Sequence, residues 1–283
     1  MVSGPRSSAI TLLTSSFVLL DRVTLAGEQR LWSAGITEWR SFRAASKIPG
    51  FGKRRKLYSD LQLAELERAL EAGLRTGRFD TLAERLPRGE HWRLLPLFDD
   101  GIAYLDIETA ERYGDVTVLG VWDGSEYVAF VKGRNLDKEL VKQYLGRFTV
   151  FVTFNGSSFD LPIIERYFRG VLPERHLHVD LRHVCARLGL HGGLKSVETV
   201  LGITRHEDVR GMCGAEAALL WHEYLLTRDD ELVELLLEYN EADCKNLEPL
   251  AGVVVPALWR QLRALSLEEP LLVLSESGQT QPL

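Results

Sequence analysis

Cysteine is scarce in this chain: Cys185, Cys213 and Cys244 are the only three, an odd count without a CxxC pair. That pattern argues against a disulfide framework or a cysteine zinc site and fits a reduced, cytoplasmic setting. No apolar run reaches the ~18 uninterrupted residues that a membrane helix needs. Residues 10–20 resemble a signal h-region behind Arg6, yet Asp21-Arg22 closes the run abruptly and Ala26 matches a cleavage site only loosely, so neither export nor a membrane partner is expected. No long internal repeat is visible. What remains is an ordinary globular composition, 45% apolar and 26% charged over 283 residues, enough for one large domain or two smaller ones.

The net charge of −6 disfavours a nucleic-acid partner at first sight, but its distribution reverses that reading. Residues 1–60 hold ten Lys/Arg and four Asp/Glu, so they carry +6 and the remainder −12. Such asymmetry marks a candidate polyanion-binding part.

Three short acidic motifs follow one another. The first, Asp106-Ile107-Glu108-Thr109, ends an apolar strand-like run from Ile102. Alternation puts Asp106 and Glu108 on one face, where two neighbouring carboxylates are costly unless a cation pairs with them. The second, Asn155-Gly156-Ser157-Ser158-Phe159-Asp160, follows a strand-like run over 148–154. Asn-Gly signals a turn and the serines can cap a helix, which sets Asp160 at a strand-to-helix junction. There it can serve a ligand or simply stabilise the helix N-terminus. The third, Tyr239-Asn240-Glu241-Ala242-Asp243, lies on a helix whose stripe is Leu232, Leu236, Tyr239, Asp243, Leu247 and Leu250. Asp243 thus occupies a place where the pattern asks for an apolar residue, with Tyr239 one turn earlier. Glu231, Glu234, Glu238 and Glu241 fall off the stripe and read as a solvated face.

Taken together, the Asp-x-Glu, Asn-x-x-x-Phe-Asp and Tyr-x-x-x-Asp motifs resemble the DEDD superfamily of 3′–5′ exonucleases, built on a ribonuclease H-like fold. Tyr239 places the resemblance in the DEDDy branch; the sister branch needs a histidine where this chain has Glu238. Residues 92–254, with Val179-Asp180-Leu181-Arg182 and the stretch from Gly193 to Gly202, look most like the YprB-like ribonuclease H-like exonucleases. The resemblance implies that Asp106, Glu108, Asp160 and Asp243 ligate two Mg²⁺ or Mn²⁺ ions. It implies that Tyr239 orients the attacking water, and that Thr109, Asn155 and Phe159 support the ligands or touch the terminal nucleotide. The implied function is a metal-dependent 3′–5′ exonuclease acting on a single-stranded 3′ end of DNA or RNA and releasing nucleoside 5′-monophosphates. The rivals are an endonuclease on the same fold and a catalytically silent nucleic-acid-binding module.

The acid-free stretch 41–56 concentrates the basic excess. Within it, Ile48-Pro49-Gly50-Phe51-Gly52-Lys53 resembles a helix–hairpin–helix turn, in which backbone amides approach a phosphate. Lys53, Arg54 and Arg55 are its candidate substrate contacts, and residues 31–37 could supply a second, degenerate copy. An ordinary Gly-Pro turn before a solvated basic helix fits equally well.

The expected architecture is therefore α/β: a ribonuclease H-like mixed sheet flanked by helices, with a small N-terminal helical region. Strands are expected near 102–108, 116–123, 126–131, 149–154 and 177–180, the first three as an antiparallel meander. Helices are expected near 57–74, 135–147, 158–168, 181–188, 194–201, 214–227 and 230–248. Leu61, Leu63, Leu66 and Leu70 should share the buried stripe of the first helix. Domain limits are expected at 1–91, 92–265 and a C-terminal tail at 266–283, polar and disordered from Ser275 onward.

Overall fold

The computed structural model describes residues 5–110, 114–267, 272–274 and 280–282. They fall into two units, one of residues 100–254 and one of residues 1–99 with 255–283. The sequence placed this division after residue 91. Trp92, Leu94 and Leu97 are buried, and Arg93 lies over the rings of Trp92 and Trp259, so these residues group with the N-terminal unit.

The N-terminal unit contains α1 (Pro5–Thr14), α2 (Leu25–Ser33), α3 (Trp39–Ala44), α4 (Lys53–Thr76) and α5 (Asp80–Arg85). The signal-like apolar run is core: Leu12, Leu13, Phe17, Leu19 and Leu20 are buried. The indoles of Trp32 and Trp39 donate to the carbonyls of Ser15 and Ser16, each at 2.9 Å, satisfying the backbone where α1 ends. At the centre, the fully buried Arg93 donates to Glu28 at 2.8 Å and to Glu90 at 2.6 Å. Glu28 also accepts from the backbone amides of Phe17 and Val18, so this charge group is paired and hydrogen-bonded. On α4 the expected stripe holds for Leu63, Leu66 and Leu70, but Leu61 is exposed. A buried stripe follows i, i+3, i+4, i+7; the step from Leu61 to Leu63 crosses to another face.

The second unit is built on a five-stranded sheet: β1 (Ile102–Thr109), β2 (Val116–Trp122), β3 (Tyr127–Val131), β4 (Val150–Thr153) and β5 (Leu177–Asp180). Its order is β3-β2-β1-β4-β5; β1 to β3 form the antiparallel meander, and β4 and β5 add in parallel. Residues 111–113, between β1 and β2, lie outside the described residues. Helices α6 (Lys138–Leu145), α7 (Asp160–Phe168), α8 (Leu181–Arg187), α9 (Leu194–Leu201), α10 (Gly214–Thr227) and α11 (Asp230–Leu267) complete the unit and its exit.

Alternation along β1 sorts its side chains into two cores. Leu105 and Ile107 pack in a cluster with Val141 and Leu145 of α6 and Ile163, Ile164 and Phe168 of α7. The opposite cluster joins Val118 and Val131 to Trp221 of α10 and Val233, Leu236 and Tyr239 of α11. Asp106 and Glu108 point to this second side.

Helix α11 was expected to stop near 248 and instead runs to Leu267, through Gly252 and Pro256. Those residues cost about 1 and 3 kcal/mol relative to alanine in a helix interior. Burial of Val254, Val255, Leu258 and Leu262 and the edge-on contact of Trp259 with Trp32, centroids 5.4 Å apart, offset that cost. Most of the tail from Ser275, expected to be disordered, lies outside the described residues; Thr280–Pro282 within it pairs antiparallel with Leu272–Leu274.

Candidate metal centre

Three elements bring the acids together. Asp106 and Glu108 project from β1, and Asp243 from α11, and ligand oxygens of all three lie within 4.8 Å of one another. The strand register shifts between Glu108 and Thr109, a bulge of the kind that re-aims side chains. Asp243 is buried on the helical stripe, between Tyr239 and Leu247. Asp160 opens α7 outside this triad, and its Oδ1 accepts from the backbone amide of Ile107 at 3.1 Å, between the two strand acids.

Burial and mutual repulsion act on these carboxylates together. Desolvation, followed by the charges of Asp243 and Asp160, raises Asp106 well above the usual carboxylate range. Glu108 is raised in the same way, by burial first and Asp243 next. Asp160 is pushed up to about 7, chiefly by burial, against the opposing effect of its backbone hydrogen bonds. Asp243 is raised by burial although Arg205 and Lys195 pull it down. Hard oxygen donors so concentrated fit a divalent cation, which relieves both the desolvation and the repulsion. Asp243 Oδ1 is buried and ion-paired with Arg205 Nη1, which offsets only part of the charge gathered at the cluster.

Asp106, Glu108 and Asp243 line a cavity of about 470 Å³; Asp160 does not. Thr109, Phe159 and Tyr239 line it too, with the small residues Gly214, Ala215 and Ala218 of α10. Tyr239 is buried, and its hydroxyl oxygen accepts a hydrogen bond from Lys195 Nζ at 2.8 Å, so its own proton is available to another acceptor. Burial, then Asp243, Glu108 and Asp106, raises the phenol's pKa, which keeps it protonated.

Asn155 takes a different place. Its φ of 71° is left-handed, a conformation Asn tolerates, and its Oδ1 accepts from Arg182 at 2.5 Å. Asp180 holds the same turn by accepting from the amides of Asn155 and Ser157 at 2.7 and 3.0 Å. A Cβ at Gly156 would lie 2.2 Å from Thr153 Oγ1, so the turn requires glycine there. The Asn-Gly pair thus shapes the junction that delivers Phe159 and Asp160, and Asn155 does not line the cavity. In the N-terminal unit, Lys53 and Arg54 are exposed, whereas Arg55 donates to the carbonyls of Gly50 and Arg22 and lies 4.2 Å from the centre of the Phe51 ring.

Sequence reasoning missed three polar residues. Asn240 is fully buried; its Nδ2 donates to Asp106 Oδ2 at 2.9 Å, and its Oδ1 accepts from the Tyr127 hydroxyl at 2.8 Å. Arg205 is clamped by Glu198 through bonds of 2.6 and 2.8 Å and braces Asp243. Lys195 serves Tyr239. Asn240 could have been found from its place one turn after Leu236 on the buried face of α11; the partners of the other two are not encoded locally.

Residues 103–255, just over half of the chain, match the sequence model of the RNase_H superfamily. No curated protein and no solved structure matches the chain. The matched span runs from the strand that carries Asp106 through the helix that carries Asp243, and it contains the five-stranded sheet, so the chain belongs to the RNase H superfamily.

Proposed function

We propose that this protein is a metal-dependent 3′–5′ exonuclease of the DEDDy type, hydrolysing phosphodiester bonds of DNA or RNA and releasing nucleoside 5′-monophosphates in a cytoplasmic setting. The observation that carries the reading is the gathering of Asp106, Glu108 and Asp243 at a cavity that also receives the Tyr239 hydroxyl. Asp160, one strand residue away through Ile107, is the fourth acid for a two-metal arrangement with Mg²⁺ or Mn²⁺. Bound among these acids, divalent cations would polarise the phosphodiester and make water nucleophilic at neutral pH.

The chain's own residues supply the rest. With Lys195 donating to its oxygen, Tyr239 can direct its proton at a water and fix that water's orientation; a phenol held protonated is not the base. Arg205 and Asn240 hold Asp243 and Asp106 in place before any ligand arrives. Thr109 and Phe159 line the cavity, where they would meet the terminal nucleotide.

The deciding experiment uses 5′-labelled single strands of DNA and RNA, with Mn²⁺ or with EDTA. Stepwise shortening in Mn²⁺ that a blocked 3′ hydroxyl slows, and that EDTA stops, is the expected result. Cleavage of a circular single strand would favour the endonuclease. Binding without hydrolysis under any divalent ion would favour the silent module.

A further inference from the structure

Beside the acidic cavity lies a second one of about 510 Å³, lined by Trp221, Tyr224 and Leu225 of α10, by Arg228 at its C-cap and by Lys132 after β3. The two cavities share walls in sequence. Thr109 borders the first and Ala110 the second, and on α10 Gly214 and Ala218 border the first while Trp221 and Leu225 border the second, with Arg228 just past the helix end. The helix positions step by four, three and four, so they form one face. At 1.5 Å per residue the centres of the two groups are about 10 Å apart along the helix, further than one nucleotide reaches.

The second cavity has the chemistry of a strand-binding surface. Tyr224 has two guanidinium groups close by, Arg134 at 5.6 Å and Arg228 at 5.7 Å from its ring centre. Its ring is also 5.4 Å from that of Trp221. Aromatic rings and guanidinium planes are the surfaces on which unpaired bases stack. Lys132 is paired with Asp115 at 2.6 Å and Arg134 with Asp230, but both carboxylates are mostly exposed, so the pairs are weak and a phosphate can take their place. No carboxylate among the described residues pairs with Arg228, and its side chain is exposed.

We propose that this cavity is a second substrate subsite, which binds the single-stranded stretch a few nucleotides 5′ of the terminal residue through Tyr224, Arg134 and Arg228. This subsite rests on the nuclease reading above for its substrate and strand direction. It gives the acidic unit a basic, aromatic patch of its own despite the negative charge of residues 61–283.

The test is fluorescence anisotropy with labelled oligodeoxynucleotides from about two to about ten nucleotides long, in EDTA so that nothing is cut. Affinity in the parent protein should rise with length over this range. Arg228→Asn removes the charge while suiting the left-handed backbone at φ 57°, and Tyr224→Ala removes the platform. Each should weaken binding of the longer strands on the order of tenfold and flatten the length dependence, and Arg228→Asn should lower the salt slope by about 0.7. Arg228→Lys should restore most of that slope. Unchanged length dependence in both folded variants overturns the subsite. Incubating the parent with the same strands in Mn²⁺ tests the other claim separately: length-dependent binding without hydrolysis would sink the nuclease reading and leave the binding surface standing.

Discussion

Each acid of the cluster is a cost to the metal-free fold. Asp160 is raised to about 7, so in the absence of a cation its protonated form is the one the folded protein prefers. A folded pKa above the unfolded value means that the contribution to stability is full below about pH 4 and is lost as pH rises to about 7. In EDTA, Asp160→Asn should therefore melt progressively higher than the parent between pH 4 and 7, with a constant difference above. Differential melting at pH 5 and 8 checks this, and Mn²⁺ should narrow or reverse the gap at pH 8 because only the parent gains a fourth carboxylate ligand. Tyr239 behaves differently, since it carries no charge to relieve. Tyr239→Phe should lower kcat on the order of 10–10³-fold with metal affinity nearly unchanged. A calorimetric loss of metal affinity equal to that of Asp243→Asn would make the tyrosine a support for the structure instead.

At the scale of elements, β2 is shaped around a side chain of α11. Gly120 pairs with Asp106 across the sheet, and a Cβ there would lie 1.8 Å from Asn240 Oδ1 and 2.9 Å from the Tyr127 ring. Glycine at this position is what lets Asn240 cross the strand to reach Asp106. Gly120→Ala should destabilise the protein by about 1–3 kcal/mol through overpacking and weaken metal binding by displacing Asn240. Adding Asn240→Ala should recover much of the stability without restoring metal affinity, a non-additivity that a double-mutant cycle in urea measures. The strands and helices around this contact were legible in the sequence because alternation and 3.6-residue stripes are local, and the acids stood out where an apolar residue was due. The contact itself was not legible. Asn240 meets Asp106 across 134 positions and Lys195 meets Tyr239 across 44, and no periodicity encodes such pairs. Gly252 and Pro256 hid the true length of α11 for the converse reason: local propensity pointed to an end that burial overrides.

For the molecule as a whole, the charge is divided unequally along the chain, and the N-terminal unit carries the basic share. There α3, a turn and α4 form two helices joined through an Ile48–Phe51 bridge, with Gly50 at φ 76°. Gly52 caps the 24-residue α4 without a side-chain hydrogen bond, so the first-turn amides have no side-chain partner at the cap. A phosphate suits that end, where the helix dipole is positive and Lys53 and Arg54 are exposed. Arg55 is committed to the carbonyls of Gly50 and Arg22, so charge reversal there would also disturb the turn. Lys53→Glu with Arg54→Glu is thus the cleaner test. Each phosphate contact on a single strand contributes about −0.7 to the slope of log affinity against log salt, so the double variant should flatten that slope by about 1.4. Binding should weaken across all sequences, because phosphate contacts carry no sequence information. Turnover at saturating strand concentration should persist while the apparent KM rises, since the change lies outside the acidic cavity. An unaltered slope and KM would reduce the turn and its basic residues to a solvated surface.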